Sequence, residues 1–104
     1  MRKREVFFSP EAQADLNGLY DYIAGQSGAA RAIGYIRRIE RYCRGFELAS
    51  ARGTRRDDIR PGLRIVGFER RLTIAFHVEG QRVVIDRLLY GGRDVIRGIG
   101  TRPK

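Results

Sequence analysis

Cysteine, histidine and tryptophan are nearly absent from this 104-residue sequence, which has only Cys43 and His77 and no tryptophan. A single cysteine cannot form an intramolecular disulfide, and one cysteine with one histidine excludes the common zinc sites. We therefore expect no metal, no cofactor and a reducing, cytoplasmic location. Since Cys43 falls in a helical apolar pattern, we predict that it is a small core residue.

Long hydrophobic runs are also absent, because no apolar stretch approaches the ~20 residues that span a bilayer. The charged start of the chain leads into a short strand-like run rather than an apolar signal region. The length of 104 residues leaves room for one core, and the hydrophobic fraction of 42% is enough to form it. We predict a single domain over residues 1–104 with no membrane segment.

Lysine is scarce as well, since only Lys3 and Lys104 are lysines among the 21 basic residues. The net charge is +9, of which residues 1–50 carry +2 and residues 51–104 carry +7. A GC-rich genome would explain the preference for arginine but not this asymmetry. Because guanidinium groups bind carboxylate and phosphate in a bidentate manner, the charge favours an acidic protein segment or nucleic acid as partner.

The N-terminal half has the pattern of one strand and two helices. Arg4 to Phe8 is strand-like, and Ser9 is placed to cap a helix that Gly25 to Gly28 ends. A second helix is predicted from Ala29 to Leu48. Each helix has an apolar seam at spacings of three and four, so the two should pack as an antiparallel hairpin. The second seam consists of Ala32, Ile36, Ile39, Cys43 and Phe46.

The C-terminal half alternates like a sheet. A polar loop is predicted from Ser50 to Gly62, followed by strands at Leu63 to Phe68, Arg71 to Val78 and Arg82 to Tyr90. Their hairpin-length connections indicate an antiparallel meander. Strict alternation along the last strand would place four side chains on one face, namely Val83, Ile85, Arg87 and Leu89.

The predicted fold is therefore α+β, with element order β-α-α-β-β-β. The helical hairpin must bury its seam against the only apolar face available, that of the mostly antiparallel sheet. The N-terminal strand is expected at a sheet edge. A short C-terminal helix from Val95 to Ile99, capped by Asp94, should follow the last strand.

No catalytic constellation is evident, and we predict no catalytic residue. Asp57 and Asp58 lie among arginines and are interpreted as a neutralised loop rather than a metal site. The sequence still allows RNA cleavage without a metal ion. In that mechanism arginine would stabilise the phosphorane, and His77 or Tyr90 would move a proton. His77 lies in a strand with no evident partner, so a structural role is favoured for it.

Three segments together resemble landmarks of the ParE toxins in the RelE/ParE superfamily: Leu19 to Ala24, Asp58 to Arg64, and Leu88 to Asp94. The resemblance covers nearly the whole chain and implies an α-hairpin packed on an antiparallel sheet. It also implies a non-enzymatic toxin of a bacterial type II toxin–antitoxin system, associated with plasmid stabilisation, that inhibits DNA gyrase. The implied partner is a ParD-like antitoxin whose acidic, amphipathic C-terminal segment wraps the toxin in a hetero-oligomer.

Two sets of residues are expected to serve these roles. The set for antitoxin binding is apolar or aromatic surface with one nearby arginine, namely Tyr22, Ile33, Tyr35, Tyr42 and Arg38. The set for toxicity is basic, namely Arg60, Arg64, Arg87, Arg93 and Arg97. Each set also has a structural interpretation. The tyrosines could simply pack within the helical hairpin, and Arg87 could form a buried pair with Asp86 or Asp94.

Two other functions are kept as alternatives. The superfamily also contains ribosome-dependent messenger-RNA endonucleases, which this chain resembles in fold and in having Tyr90 before Gly91-Gly92. A non-toxic nucleic-acid-binding module would explain the charge alone. The latter is disfavoured, because the sequence shows neither an aromatic stacking pair on a strand nor a groove-reading helix.

Overall fold

A computed structural model describes residues 4–47 and 52–91 of the chain as a five-stranded sheet with a helical hairpin. The elements are β1 (Glu5–Phe8), α1 (Pro10–Ser27), α2 (Ala29–Arg44), a 3-10 helix (Gly45–Glu47), β2 (Thr54–Arg55), β3 (Arg64–Phe68), β4 (Leu72–Glu79) and β5 (Arg82–Tyr90). The strand order is β1-β5-β4-β3-β2, in which β1 runs parallel to β5 and the other neighbours are antiparallel. The predicted α+β class and the edge position of the first strand are confirmed, while the proposed C-terminal helix lies outside the described residues.

The start of α1 follows the sequence closely. The Ser9 hydroxyl accepts a hydrogen bond from the Ala12 amide at 3.0 Å and donates one to the Asp86 carbonyl at 3.0 Å. Pro10 occupies the first helical position, where its missing N–H has no partner to lose. Ser9 therefore caps the helix and also fastens its start to β5.

The joint between the two helices is a single residue, Gly28. The prediction that residues 25–28 end α1 is confirmed, and the end lies at Gly28, because Gly25 keeps helical geometry and the helix continues to Ser27. Within residues 25–28 only Gly28 has a positive φ, at 97°, and its amide donates to the Ala24 carbonyl at 2.9 Å. Glycine permits the conformation that reverses the chain there.

The segment after α2 differs from the sequence expectation in two ways. The helix ends at Arg44 rather than Leu48, and a 3-10 turn then inserts Phe46 into the core. The predicted loop contains β2, which pairs with β3. Gly53 makes this pairing possible, since its φ is +84° and a Cβ there would lie 2.4 Å from the Ile65 carbonyl oxygen.

A β-bulge on β5 breaks the alternation that the sequence predicted. The register passes from Ala75 opposite Arg87 to Phe76 opposite Ile85, which leaves Asp86 as an extra residue. Ile85 consequently packs towards the helices, whereas Leu89 lies in a separate cluster on the other face. The prediction that these two residues share a face was wrong.

Both faces of the sheet are partly covered. The main core lies between the helical hairpin and the sheet and includes Ile39, Phe46 and Phe76. A smaller cluster on the opposite face contains Leu63, Ala75 and Leu89 with Ile59 and Ile65 beside them. Cys43 is completely buried in the main core, as predicted, and this burial raises the pKa of its thiol to about 12. In the described parts of the chain, neither helix combines the length and hydropathy needed to cross a membrane.

Candidate functional site

A groove opens where the end of the sheet meets the helical hairpin. It consists of two adjacent depressions of about 600 and 620 Å³ that share three lining residues, Tyr22, Arg71 and Tyr90. Tyr35 lines the second depression, and we call the surface formed by these four residues the tyrosine groove. It receives side chains from α1, α2, the start of β4 and the end of β5.

The walls of the tyrosine groove are interlocked aromatic rings. The Tyr90 ring lies 6.0 Å from the Tyr35 ring in an edge-on arrangement, and 6.0 Å from the ring of Tyr22. Tyr35 also contacts Phe68 at 6.2 Å between ring centroids. Such tilted and edge-on pairs are favourable arrangements of aromatic rings, so the groove is already formed in the free chain.

Tyr35 has an unusual environment for a hydroxyl group. The residue is only 8% exposed, and its hydroxyl has no hydrogen-bond partner among the described residues. Burial is the main reason that its pKa is raised to about 12, with Tyr90 and Glu69 acting in the same direction. An unsatisfied buried donor of this kind costs about 1–3 kcal/mol.

One rim of the groove is fixed by an ion pair. Arg38 donates to both carboxylate oxygens of Glu69 at 2.8 and 2.9 Å, which lowers the pKa of Glu69. The same guanidinium lies 5.2 Å from the centre of the Tyr35 ring. Glu69 and Arg70 both have positive φ, at 50° and 65°, a conformation that is strained for residues other than glycine. Arg38 thus ties a strained turn to α2.

The structure separates the residues predicted for antitoxin binding. Tyr22 and Ile33 are exposed, at 55% and 40%, whereas Tyr35 is buried as hairpin packing and Arg38 already has an acid of its own chain. Tyr42 packs against Phe68 at 4.8 Å and against Phe46, away from the groove lining. Tyr22, Tyr35 and Arg38 meet at the groove, while Ile33 and Tyr42 do not line it.

The residues predicted for toxicity do not form one patch in the described parts of the chain. Arg87 reaches α1, where it donates to Asp15 at 2.8 and 3.1 Å. Among the described residues, the ion-pair partner of Arg87 is therefore Asp15 rather than Asp86. Arg64 donates to the Arg52 carbonyl at 3.5 Å. Arg93 and Arg97, like the second suggested partner Asp94, lie outside the described residues.

Arg60 belongs to a charged cluster on the sheet face opposite the helices. Asp86 binds the Arg60 guanidinium at 2.9 Å and the His77 Nδ1 at 2.7 Å, and the Asp86 side chain is only 13% exposed. Glu79 lies 3.8 Å from the other nitrogen of His77. The interpretation of His77 as a residue without a partner was wrong, because Asp86 on the neighbouring strand β5 binds it.

The aspartates of the 56–63 loop are neutralised, as predicted. Arg56 binds Asp58 at 2.8 Å, and Arg55 binds Asp57 at 3.0 Å. The Gly62 amide donates to Asp57 at 2.8 Å and is the main cause of its lowered pKa. Across residues 4–47 and 52–91, no group of three or more His, Cys, Asp or Glu residues is arranged to hold a metal ion.

Sequence reasoning missed Arg71 and the place of Tyr90 in the groove. Nothing in the sequence distinguishes Arg71 from the other arginines around it. Tyr90 is part of a landmark segment, but its contacts with Tyr22 and Tyr35 depend on where the hairpin packs.

Comparisons with known proteins agree with this architecture. The family described as "ParE toxin of type II toxin-antitoxin system, parDE" matches residues 6–95 of the chain. A solved structure titled "Chromosomal ParDE TA system from P. aeruginosa" has a similar fold, with a TM-score of 0.75 and 23% sequence identity. That alignment covers 86% of this chain and 97% of the other. No curated protein matches the chain in sequence.

Proposed function

The chain belongs to the ParE toxin family of type II toxin–antitoxin systems, and from this membership we propose that it inhibits DNA gyrase and is neutralised by a ParD-like antitoxin. The proposal has two parts, a protective partner and a target, and different surfaces support each part. Neither part requires a cofactor.

The observation that carries the proposal is an open aromatic groove beside arginines that form no ion pair within residues 4–47 and 52–91. Acids near the groove are already used, since Glu69 pairs with Arg38 and Asp15 pairs with Arg87. In contrast, α2 presents exposed arginines to solvent, namely Arg31, Arg37, Arg41 and Arg44. An acidic amphipathic segment would place apolar side chains in the groove and its carboxylates against these arginines.

We assign gyrase binding to the basic second half, with Arg60, Arg64, Arg93 and Arg97 as the contact candidates. Arg60 and Arg87 are weaker candidates, because Asp86 and Asp15 already bind their guanidinium groups and their side chains are only 31% and 26% exposed. The charge of +7 over residues 51–104 suits a target that is bound to DNA.

RNA cleavage is the second candidate, and one observation favours it. The pair of His77 and Asp86 resembles the base-and-orienting-acid arrangement of many hydrolases, with Arg60 beside it. However, Asp86 and Glu79 would repel a phosphodiester that approaches His77. This cluster therefore supports the nuclease less well than the groove supports the toxin.

The experiment is controlled expression of the chain in bacteria, alone and with the antitoxin encoded by the adjacent gene. We expect growth arrest by the chain alone, recovery on co-expression, intact messenger RNA on ribosomes and induction of the DNA-damage response. Cut messenger RNA without DNA damage would replace the proposal with the nuclease. Normal growth at verified expression of folded protein would refute both.

Two variants separate target binding from folding in this experiment. Arg97→Gln should reduce growth arrest without changing antitoxin affinity, because it is proposed to contact the target only. His77→Gln should arrest growth as the unmodified chain does, since the proposed mechanism needs no proton transfer. Loss of arrest in His77→Gln, with an unchanged melting temperature, would favour RNA cleavage.

A further inference from the structure

Arg71 lies at the centre of the tyrosine groove, because its side chain lines both depressions. It is exposed and forms no ion pair with an acid of the described segments. Arg38 lies on the rim of the same groove, but two of its nitrogens already donate to Glu69. Arg71 is thus a guanidinium at the centre of the groove that is available to a partner in the described residues.

The Tyr35 hydroxyl is a second unused donor at this place. Its oxygen has less than 1 Å² of accessible surface and no hydrogen-bond partner among the described residues. Arg38 and Arg71 lower its pKa, and Glu69, which Arg38 binds, raises it, so these three charged groups act on the hydroxyl. The groove therefore offers two donors, Arg71 and the Tyr35 hydroxyl, while the carboxylates that line it in the described residues, Asp15 and Glu69, are already bound by Arg87 and Arg38.

We propose that the tyrosine groove is a binding site for one carboxylate of the antitoxin, an Asp or Glu side chain that accepts hydrogen bonds from Arg71 and the Tyr35 hydroxyl. The inference rests on the proposed function, because the antitoxin is the partner that supplies the carboxylate. Charge complementarity selects this occupant, since the chain carries a net charge of +9 and a guanidinium binds a carboxylate through two parallel hydrogen bonds. The aromatic rings around Arg71 would exclude water and strengthen those bonds.

A local movement must accompany binding, because the Tyr35 hydroxyl is covered in the free chain. Arg71 is the neighbour best able to move, being exposed and unpaired in the described residues. The hydroxyl then has opposite effects in the two states. It destabilises the free toxin, where it is unsatisfied, and stabilises the complex, where it gains an acceptor.

The experiment measures the affinity of the purified toxin for the antitoxin encoded by the adjacent gene, by isothermal titration calorimetry. Arg71→Gln should raise Kd about tenfold or more, since it removes a charge-assisted hydrogen bond. Arg70→Gln is the matched control, because it removes the same charge from the neighbouring exposed position, which does not line the groove. It should raise Kd less than about threefold. Equal losses in the two variants would overturn the proposal, since they would indicate a general effect of charge.

Tyr35→Phe distinguishes the proposed site from ordinary packing. This variant should melt at a higher temperature than the unmodified toxin and yet bind the antitoxin about threefold or more weakly. A purely structural hydroxyl would not give these opposite signs. An unchanged or tighter Kd for Tyr35→Phe would overturn the proposal.

Substitutions in the antitoxin identify the carboxylate. Each Asp→Asn or Glu→Gln change in its C-terminal segment is combined with Arg71→Gln in a double-mutant cycle. One position should lose its effect on Kd when Arg71 is replaced, whereas additive effects at all positions would overturn the proposal. If the unmodified toxin does not bind this antitoxin at all, the proposed function fails; if it binds and Arg71→Gln binds equally well, only the present inference fails.

Discussion

The ion pair between Arg87 and Asp15 fastens β5 to α1, and its removal gives a stability prediction with a defined magnitude. Asp15 accepts three hydrogen bonds, two from the Arg87 guanidinium and one from the Leu88 amide at 2.9 Å. The two side chains are 26% and 13% exposed, so the pair lies between a surface salt bridge and a buried one. Surface pairs contribute about 0–1 kcal/mol, and breaking a buried pair costs about 3–5 kcal/mol.

We therefore expect Asp15→Asn to lower the free energy of unfolding by about 2 kcal/mol. For a domain of this size that corresponds to a fall in melting temperature of about 10 °C. The assay is urea and thermal unfolding of the purified toxin, followed by circular dichroism. Asparagine retains the size of the side chain and one acceptor, so the loss reports mainly the missing charge.

The control for this prediction is the exposed pair of Arg82 and Glu79, whose side chains are 45% and 58% exposed. Glu79→Gln should change stability by less than about 0.5 kcal/mol. The double variant Asp15→Asn with Arg87→Gln should cost less than the two single changes together, because both changes remove the same interaction. A loss below about 0.5 kcal/mol for Asp15→Asn would refute the reasoning.

Three further predictions concern the turn, the core and pH. Gly53→Ala should lower the free energy of unfolding in urea by at least about 2 kcal/mol, because the new methyl group would collide with the Ile65 carbonyl and the backbone there has a left-handed φ. A variant as stable as the unmodified chain would contradict the register of β2. The Cys43 thiol should react with a disulfide reagent only after unfolding, since it is completely buried and burial raises its pKa to about 12. Rapid labelling of the native chain would contradict this packing. The Arg38 pair lowers the pKa of Glu69 below 4.5, so its contribution is present above pH 4.5 and lost as pH falls through the lowered value. On acidification below pH 4.5, the urea concentration at the midpoint of unfolding should therefore fall more for the unmodified chain than for Glu69→Gln. Equal falls would contradict a stabilising pair of Arg38 and Glu69.

The helical hairpin could be predicted from sequence because its determinants are local. Ser9 and Pro10 start α1 by capping rules that need only neighbouring residues. The apolar seam of α2 has a period that only a helix satisfies. The end of α1 was predicted within residues 25–28, but the exact residue was not, because glycine permits a break without requiring one and the chain reversal uses Gly28 rather than Gly25.

The last strand shows why alternation alone was insufficient. Side chains alternate between the two faces of a sheet only while every residue has a partner on the neighbouring strand. The bulge leaves Asp86 without a partner in the register of β4 and β5. The contact between His77 and Asp86 could have been found by counting outward from the β4–β5 turn, which places Val84 opposite His77. That count brings Asp86 within reach of His77 even before the bulge is known.

The ion pairs that shape the candidate site were beyond sequence reasoning. Arg87 and Asp15 are 72 positions apart, and Arg38 and Glu69 are 31 apart. Their meeting depends on how the hairpin rests on the sheet, which no local pattern encodes. The tyrosine groove was therefore anticipated in its aromatic character but not in its centre, Arg71.

The inhibition of gyrase is tested most directly by incubating the purified toxin with DNA gyrase, ATP and relaxed plasmid. We predict less supercoiled product and an accumulation of cleaved, gyrase-linked DNA that rises with toxin concentration. Toxin already bound to its antitoxin should have neither effect. Supercoiling at the normal rate and no cleaved DNA, with folded toxin in excess over gyrase, would contradict the account.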